Sequence, residues 1–139
     1  MSTQRTLSII KPDAVAEGHA GEILAMIEAA GFRILAMKML RLDQAQAEGF
    51  YAVHREKPFF RPLVRFMTEG PVIVMALERQ DAVARLREIM GATNPANASE
   101  GTIRKRFAQN IERNAIHGSD ASATAEAELR FFFHTAELL

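Results

Sequence analysis

A histidine in the stretch NAIHGSD, residues 114 to 120, is a candidate nucleophile in a chain with four histidines and no cysteine. A neutral imidazole can attack phosphorus through one ring nitrogen when the other is hydrogen-bonded and the tautomer is fixed. A carboxylate is a suitable partner because it stabilises the positive ring that forms, and Glu128 is a candidate for that role. Taken alone, however, a histidine such as His117 is more often an ordinary loop residue.

Three isolated basic residues suggest a partner for such a nucleophile. Lys11 ends the first apolar run, Arg87 lies beside the apolar stripe of a predicted helix, and Arg104 lies in a long connecting segment. As a set they are able to neutralise a phosphate chain, although each one alone is more simply explained as a solvated charge. The chain has no G-x-x-x-x-G-K-[ST], no G-x-G-x-x-G after a strand and no H-E-x-x-H. Phosphate binding, if present, must therefore come from separated side chains.

Aromatic residues between 50 and 60 form a second candidate group. Tyr51 and His54 are spaced i, i+3, so they would be neighbours on one face of a helix. Phe59 follows Pro58 in a predicted turn between helices. Such a ring is more often part of the core, but a half-exposed one can stack on a nucleobase.

The composition limits the class of protein. The 139 residues fit a single domain, 1–139, and 48% of them are apolar, enough for a core. The 17 basic and 17 acidic residues balance, which argues against bulk electrostatic capture of nucleic acid or an anionic membrane. The lack of cysteine excludes disulfides and thiolate chemistry. No apolar run is long enough for a signal peptide or a membrane span, so we expect a soluble, cytoplasmic protein.

Apolar periodicity and helix-end signals predict the elements that must position these residues. Strands are predicted at 6–10, 32–42, 70–78 and 129–133. Helices are predicted at 21–31, from a capping box at Asp43 and Gln46 to about His54, in a short segment with Pro62 in its first turn, and from a cap at Asp81 to Gly91.

This order predicts an α+β, ferredoxin-like βαββαβ sandwich, in which helices cover one face of a four-stranded antiparallel sheet. Residues 91–128 separate the last long predicted helix from the last predicted strand. Connections longer than about 12–15 residues without regular structure are uncommon and usually functional. We therefore expect a long functional loop before the last strand.

Four blocks of the sequence resemble the signature blocks of nucleoside diphosphate kinases. They are IIKPDAV at 9–15, FYAVHREKPFF at 50–60, GATNPANASEGTIR at 91–104 and NAIHGSD at 114–120. The blocks occur in the family's order and spacing, and the resemblance extends over essentially the whole chain. Four independent blocks are far more specific than one histidine motif.

The resemblance implies a ping-pong reaction in which His117 takes the γ-phosphoryl group of a nucleoside triphosphate and passes it to a nucleoside diphosphate. It implies that Glu128 binds the histidine, that Tyr51 lies near the transferred group and that Ser119 is a supporting hydroxyl. The phosphate-binding residues it implies are Lys11, Arg87, Thr93 and Arg104.

The nucleotide's other parts also have matched positions. Asn114, with Lys11, matches the contact to the ribose 3′-hydroxyl, while Phe59 and Ile111 match the residues on either side of the base. The implied cofactor is Mg²⁺ carried by the nucleotide with no direct protein ligand, and Asp120 is its candidate contact through water. The expected partners are nucleoside tri- and diphosphates, with no membrane and no specific nucleic acid.

The sequence departs from the family pattern at two places. Lys105 and Arg106 stand where the family commonly has Gly-Asp or a basic-acidic pair, and Ala121 stands where a serine is common. Neither place matches a catalytic residue, so the departures put assembly contacts in doubt rather than chemistry. The resemblance implies a homo-oligomer, with a hexamer favoured over a tetramer.

Two other interpretations compete with the enzyme. A ferredoxin-like binding module, such as an RNA-recognition domain, would explain the basic run 104–106, but no predicted strand has the aromatic pattern that stacks bases. An inactive relative is the other alternative, and it is disfavoured because every matched catalytic position is filled.

Overall fold

The computed structural model describes residues 3–139, and residues 1 and 2 of the predicted single domain lie outside the described part. The strands are β1 (Thr3–Ile10), β2 (Arg33–Leu40), β3 (Val72–Gln80) and β4 (Ile116–Gly118). The α-helices are α1 (Pro12–Ala16), α2 (Ala20–Ala29), α3 (Gln44–Phe50), α4 (Phe60–Met67), α5 (Ala82–Met90), α6 (Ile103–Phe107) and α7 (Ser122–Phe132). Short 3-10 helices cover Ala52–His54, Pro95–Asn97 and Thr135–Glu137. None of the described helices is long and apolar enough to cross a membrane.

The four strands form one antiparallel sheet in the order β2-β3-β1-β4. β1 pairs with β3 along its whole length, from Thr3 opposite Gln80 to Ile10 opposite Ile73. β4 pairs with the last three residues of β1 on the other side, so it forms an edge of the sheet. The predicted βαββαβ sandwich is confirmed.

Helices cover both faces of the sheet, so the prediction that they lie on one face was wrong. Successive strand residues point to opposite faces, and the side chains of β3 separate in this way. Val74 packs in a cluster that includes residues of α3, α4 and α7, whereas Met75 packs in a cluster that includes residues of α1, α2 and α5. With both faces covered, neither is open to stack bases, which argues against the RNA-recognition alternative.

The last strand is not the predicted segment 129–133. That segment lies largely in α7, and the free edge of β1 is paired instead by β4. Leu129 and Phe132 are spaced i, i+3 and are buried on one helix face, while Phe131 is 44% exposed. A short run of apolar residues fits a strand or a buried helix equally well, and here the partner of β1 decided the outcome.

The long segment after α5 is only partly a loop. Within residues 91–128 the chain forms a 3-10 turn, α6, β4 and most of α7. Thr102 caps α6, since its side chain accepts a hydrogen bond from the backbone N–H of Lys105. The segment before the last strand therefore runs from 91 to 115 and contains a helix, and His117 lies on the strand that follows it.

Of the two predicted N-terminal caps, the one at Asp43 is confirmed and the one at Asp81 is wrong. The capping box of Asp43 and Gln46 is present, and α3 ends at Phe50 before the 3-10 turn that reaches His54. Asp81 does precede α5, but its φ is 52° and its side chain makes no capping bond. The N–H of Val83 is bonded instead by the Gln4 side chain at 2.9 Å, so a residue from β1 caps this helix.

We expect Gly118→Ala to lower the free energy of unfolding by about 1–3 kcal/mol, the usual range for overpacking a core. A Cβ at Gly118 would lie 2.5 Å from the Met90 sulfur and 3.0 Å from a Leu86 methyl, and both side chains are fully buried. Urea unfolding measures the change. Gly21→Ala in α2 is the control, because nothing lies within 4 Å of its Cβ position. Equal midpoints for Gly118→Ala and the wild type would contradict the expectation.

Candidate active site

His117 is held on β4 opposite Ile9, at the edge of the sheet. The hydroxyl of Ser8 donates to its carbonyl oxygen at 2.9 Å, which fixes the backbone. Its imidazole packs edge-on against the rings of Phe50 and Tyr51, at centroid distances of 5.4 and 6.4 Å. The side chain is only 19% exposed, and burial lowers the pKa of His117 from its usual 6.5.

Glu128 lies on α7, not at the start of a strand, and this helix brings its carboxylate to the histidine. The distance from His117 Nε2 to Glu128 Oε1 is 2.9 Å. The same oxygen accepts a 2.6 Å hydrogen bond from the Ser119 hydroxyl, and Ser119 is fully buried. The carboxylate raises the pKa of His117 and partly offsets the effect of burial. When Glu128 is ionised and the ring is neutral, Nε2 carries the proton and Nδ1 carries the lone pair.

Lys11 follows β1 directly and is buried with Asn114. Its ammonium group donates to Asn114 Oδ1 at 2.8 Å. The Asn114 amide nitrogen donates in turn to the carbonyls of Ile111 and Thr93, at 3.1 and 3.3 Å. Burial, with help from the positive charge of Arg104, lowers the pKa of Lys11 to about 8. Among residues 3–139, the lysine is therefore held in place without a carboxylate in hydrogen-bond contact.

Two arginines bind backbone carbonyls on either side of His117. Arg104 on α6 donates to Ile116 O at 2.7 Å and more weakly to the carbonyls of Asn114 and Gly91. Arg87 on α5 donates to Gly118 O at 3.3 Å. Burial, followed by the charge of Arg87, lowers the pKa of Arg104 to about 10. Both guanidinium groups thus hold β4 in place by hydrogen bonds and place positive charge near the His117 imidazole.

These residues line a cleft of about 1120 Å³. Phe59 and Ile111 project into it and are 48% and 51% exposed, as free apolar surfaces. Thr93 and Asp120 are exposed along the same cleft, and Thr124 donates to Asp120 at 2.7 Å, which keeps the pKa of Asp120 below its usual value. The predicted residues that line the cleft are Lys11, Tyr51, Phe59, Arg87, Thr93, Arg104, Ile111, Asn114, His117, Asp120 and Glu128.

Ser119 and Tyr51 have different surroundings from the other predicted residues. Ser119 does not line the cleft and acts behind it through its bond to Glu128. The Tyr51 hydroxyl is buried with no hydrogen-bond partner in the described part of the chain. Burial, with the charge of Glu128, raises the pKa of Tyr51, so the phenol stays neutral. His54 lies beside the Tyr51 ring and 5.3 Å from that of Phe59.

The sequence reasoning missed two residues of the site. Phe50 packs on the His117 ring, and Asp13 Oδ2 accepts a 3.0 Å hydrogen bond from the N–H of Ala115. Each lies within a signature block, Phe50 next to Tyr51 and Asp13 two residues after Lys11. Their positions in FYAVHREKPFF and IIKPDAV were the available signal.

Comparison with known proteins gives consistent matches over the whole chain. The model of the nucleoside diphosphate kinase family matches residues 4–138. A nucleoside diphosphate kinase of Nitratidesulfovibrio vulgaris is 58% identical over 136 residues, which is 98% of each chain. One from Anaeromyxobacter sp. is 59% identical over 133 residues, covering 96% of this chain and 91% of that protein.

Solved structures agree with these matches. The nucleoside diphosphate kinase of Aquifex aeolicus superposes with a TM-score of 0.98 at 43% identity, over 99% of this chain and all of that one. The enzyme of Halobacterium salinarum, solved in complex with CDP, superposes with a TM-score of 0.95 at 39% identity, over 99% and 92% of the two chains. With the family's blocks brought together around one partly buried histidine, this chain belongs to the nucleoside diphosphate kinase family.

Proposed function

We propose that this protein transfers the γ-phosphoryl group of a nucleoside triphosphate to a nucleoside diphosphate through a phosphohistidine at His117. The observation that carries this is the bond from His117 Nε2 to Glu128. It leaves Nδ1, which has no protein partner among residues 3–139, to attack. The N–P bond forms as the bond from phosphorus to the bridging oxygen breaks, and the nucleoside diphosphate leaves. A second diphosphate then attacks the phosphohistidine and restores the neutral ring.

Glu128, Ser119 and Tyr51 support this nucleophile. Glu128 holds the ring orientation and stabilises the positive charge that develops on it during attack. Ser119 fixes the carboxylate, because its hydroxyl donates to the same oxygen that binds the imidazole. Tyr51, a neutral phenol beside the ring, lies near the transferred group and limits the ring's freedom to rotate.

The phosphate chain would be held by Lys11, Arg87, Thr93 and Arg104. A loose phosphoryl-transfer transition state needs in-line placement and charge stabilisation more than covalent help. The buried Lys11 and Arg104 have their pKa lowered by the loss of water and by nearby positive charge. A polyphosphate brought into the cleft would relieve that repulsion, so this cluster of cations favours an anionic ligand.

The nucleoside would lie between Phe59 and Ile111, with Lys11 and Asn114 at the ribose 3′-hydroxyl. The two apolar side chains are about half exposed in the cleft, which suits stacking on a flat ring. Stacking has no hydrogen-bond code, so broad tolerance of the base follows.

The cleft residues fit Mg²⁺ that arrives on the nucleotide. In residues 3–139 no three His, Cys, Asp or Glu side chains are grouped as a protein-bound metal would require. Asp120 offers one exposed carboxylate at the cleft, which suits contact through a water of an ion that keeps most of its hydration shell. When bound, the ion would neutralise charge on the phosphate oxygens.

We further propose a cytoplasmic homo-oligomer, a hexamer in preference to a tetramer, that meets nucleotides rather than nucleic acid or membrane. The apolar edge of the sheet supports association, because Met37 and Met39 on the outer strand β2 are 50% and 62% exposed. A molar mass from light scattering distinguishes the two assemblies.

We expect ATP labelled in its γ-phosphate to leave an acid-labile phosphate on the protein that any nucleoside diphosphate removes. His117→Ala should abolish the label, since His117 is the histidine that Glu128 orients beside Lys11 and Arg104. His54→Ala is the matched control, because this histidine also lines the cleft, and it should still label. An unlabelled wild type would refute the enzyme; a label that survives His117→Ala would place the nucleophile elsewhere.

Phosphorylation of the protein should slow as pH falls through the pKa of His117, because only the neutral ring attacks. Burial places that pKa below 6.5, so this acid limb should lie below that value. Glu128→Gln removes the carboxylate that raises the pKa, so the acid limb should move to lower pH while the rate drops roughly 10²–10⁴-fold. Single-turnover rates and an NMR titration of the imidazole measure both. Glu126→Gln, elsewhere on α7, should leave both unchanged; an acid limb moving to higher pH would contradict the assignment.

Phe59→Ala should weaken nucleotide binding with little change in the rate of the bound complex. Base stacking on an aromatic residue contributes about 1–3 kcal/mol, which corresponds to a rise in Kd of roughly five- to 150-fold. Calorimetry with ADP and saturating single-turnover kinetics separate the two effects. Val53→Ala truncates another exposed side chain of the cleft and should change neither. A loss confined to the chemical step would refute the stacking role.

A further inference from the structure

The backbone is strained two residues before the nucleophile. Ala115 has a φ of 74°, a region that side chains other than glycine rarely adopt. The N–H of Ile116 bonds back to Asn114 O at 2.9 Å, so the three residues form a γ-turn with positive φ, a rare and strained turn. Such strain persists only when surrounding contacts over-determine it, and it gathers at functional sites.

Both peptide groups of Ala115 are bonded to the segment that follows β1. Its N–H donates to Asp13 Oδ2 at 3.0 Å, and its carbonyl accepts from the Lys11 N–H at 2.8 Å. Arg104 adds bonds to the carbonyls of Asn114 and Ile116, on the two sides of the turn. In this set, the bond from Asp13 is the one made by a side chain to Ala115 itself.

Burying the Asp13 carboxylate costs free energy, so a role in stability alone explains its position poorly. It is 2% exposed, and its Oδ1 has no hydrogen-bond partner among the described residues. Burial raises its pKa, although the backbone N–H groups of Ala14 and Ala115 oppose that effect. The proposed transfer gives Asp13 no direct contact with the nucleotide, since it does not line the cleft. Its buried carboxylate therefore needs another explanation.

The γ-turn determines how the nucleotide contacts align with the nucleophile. On one side of Ala115, Asn114 turns its side chain to Lys11; on the other, the chain enters β4 and presents His117 to the cleft. Relaxing φ at Ala115 would rotate these two groups relative to each other. A shift of about 1 Å in such a site can reduce the rate about 10²-fold.

We propose that Asp13 is a positioning residue that holds Ala115 in the γ-turn and thereby sets Lys11 and Asn114 in register with His117. The proposal rests on the proposed phosphoryl transfer. A positioning role and a purely structural role predict different results. In the positioning role, turnover requires Asp13 only while residue 115 is strained at positive φ. A glycine at 115 adopts positive φ without strain and should need no such anchor.

The test is a double-mutant cycle on turnover with ATP and a nucleoside diphosphate. Asp13→Ala should lower kcat about 10- to 100-fold, and Asp13→Ala with Ala115→Gly should recover most of that loss. Asp13→Asn keeps an oxygen acceptor for the Ala115 N–H and should remain near wild type. Asp81→Gly is the matched control, because it removes the other described non-glycine residue of positive φ and should not rescue Asp13→Ala.

The outcomes distinguish a failure of the proposed role of Asp13 from a failure of the proposed phosphoryl transfer. A wild-type protein without transfer activity would refute the proposed function itself. With an active wild type, unchanged kcat in Asp13→Ala, absent rescue by Ala115→Gly or equal rescue by Asp81→Gly would overturn the role of Asp13. If Asp13→Ala does not fold, Asp13→Asn decides, since a loss that Ala115→Gly fails to reverse would also overturn it. The NMR signals of the His117 imidazole should move in Asp13→Ala and return in the double variant.

Discussion

The pairing of a three-residue strand with β1 is the constraint on which the site depends. β4 has few backbone hydrogen bonds of its own, so side chains around it must keep it in place. Arg104 and Arg87 bind the carbonyls before and after His117, and Gly118 lets Leu86 and Met90 of α5 pack against the strand. The groups that fix the nucleophile's backbone are thus partly the same groups that carry positive charge to it.

Burial gives the site its chemistry as well as its rigidity. The low exposure of His117 keeps the ring neutral near physiological pH, and Glu128 fixes which nitrogen carries the proton. The same loss of water lowers the pKa of Lys11 and of Arg104. Charged groups left without paired carboxylates in a cleft are costly until an anion arrives. A chain of zero net charge therefore still contains one site strongly suited to polyphosphate.

Much of the fold was predictable because local signals and tertiary packing agreed. The β-branched and apolar residues of the run 6–10 formed part of a central strand, and the capping box at Asp43 started a helix. Where they disagreed the prediction failed. The apolar run 129–133 suits a strand or a buried helix equally well, and Asp81 was displaced as a cap by Gln4, which is distant in the sequence.

The sequence by itself determined most residue types of the site, because four separated blocks contain the histidine, the cations Lys11 and Arg104, and the aromatic ring. Only the tertiary structure decided which groups meet. Glu128 reaches His117 from a helix, Ser119 bonds that carboxylate from behind, and Asp13 binds Ala115 across 102 positions of the chain. Hydrogen bonds depend on distances of about 3 Å. Spacing along the chain does not set such distances when a sheet brings the segments together.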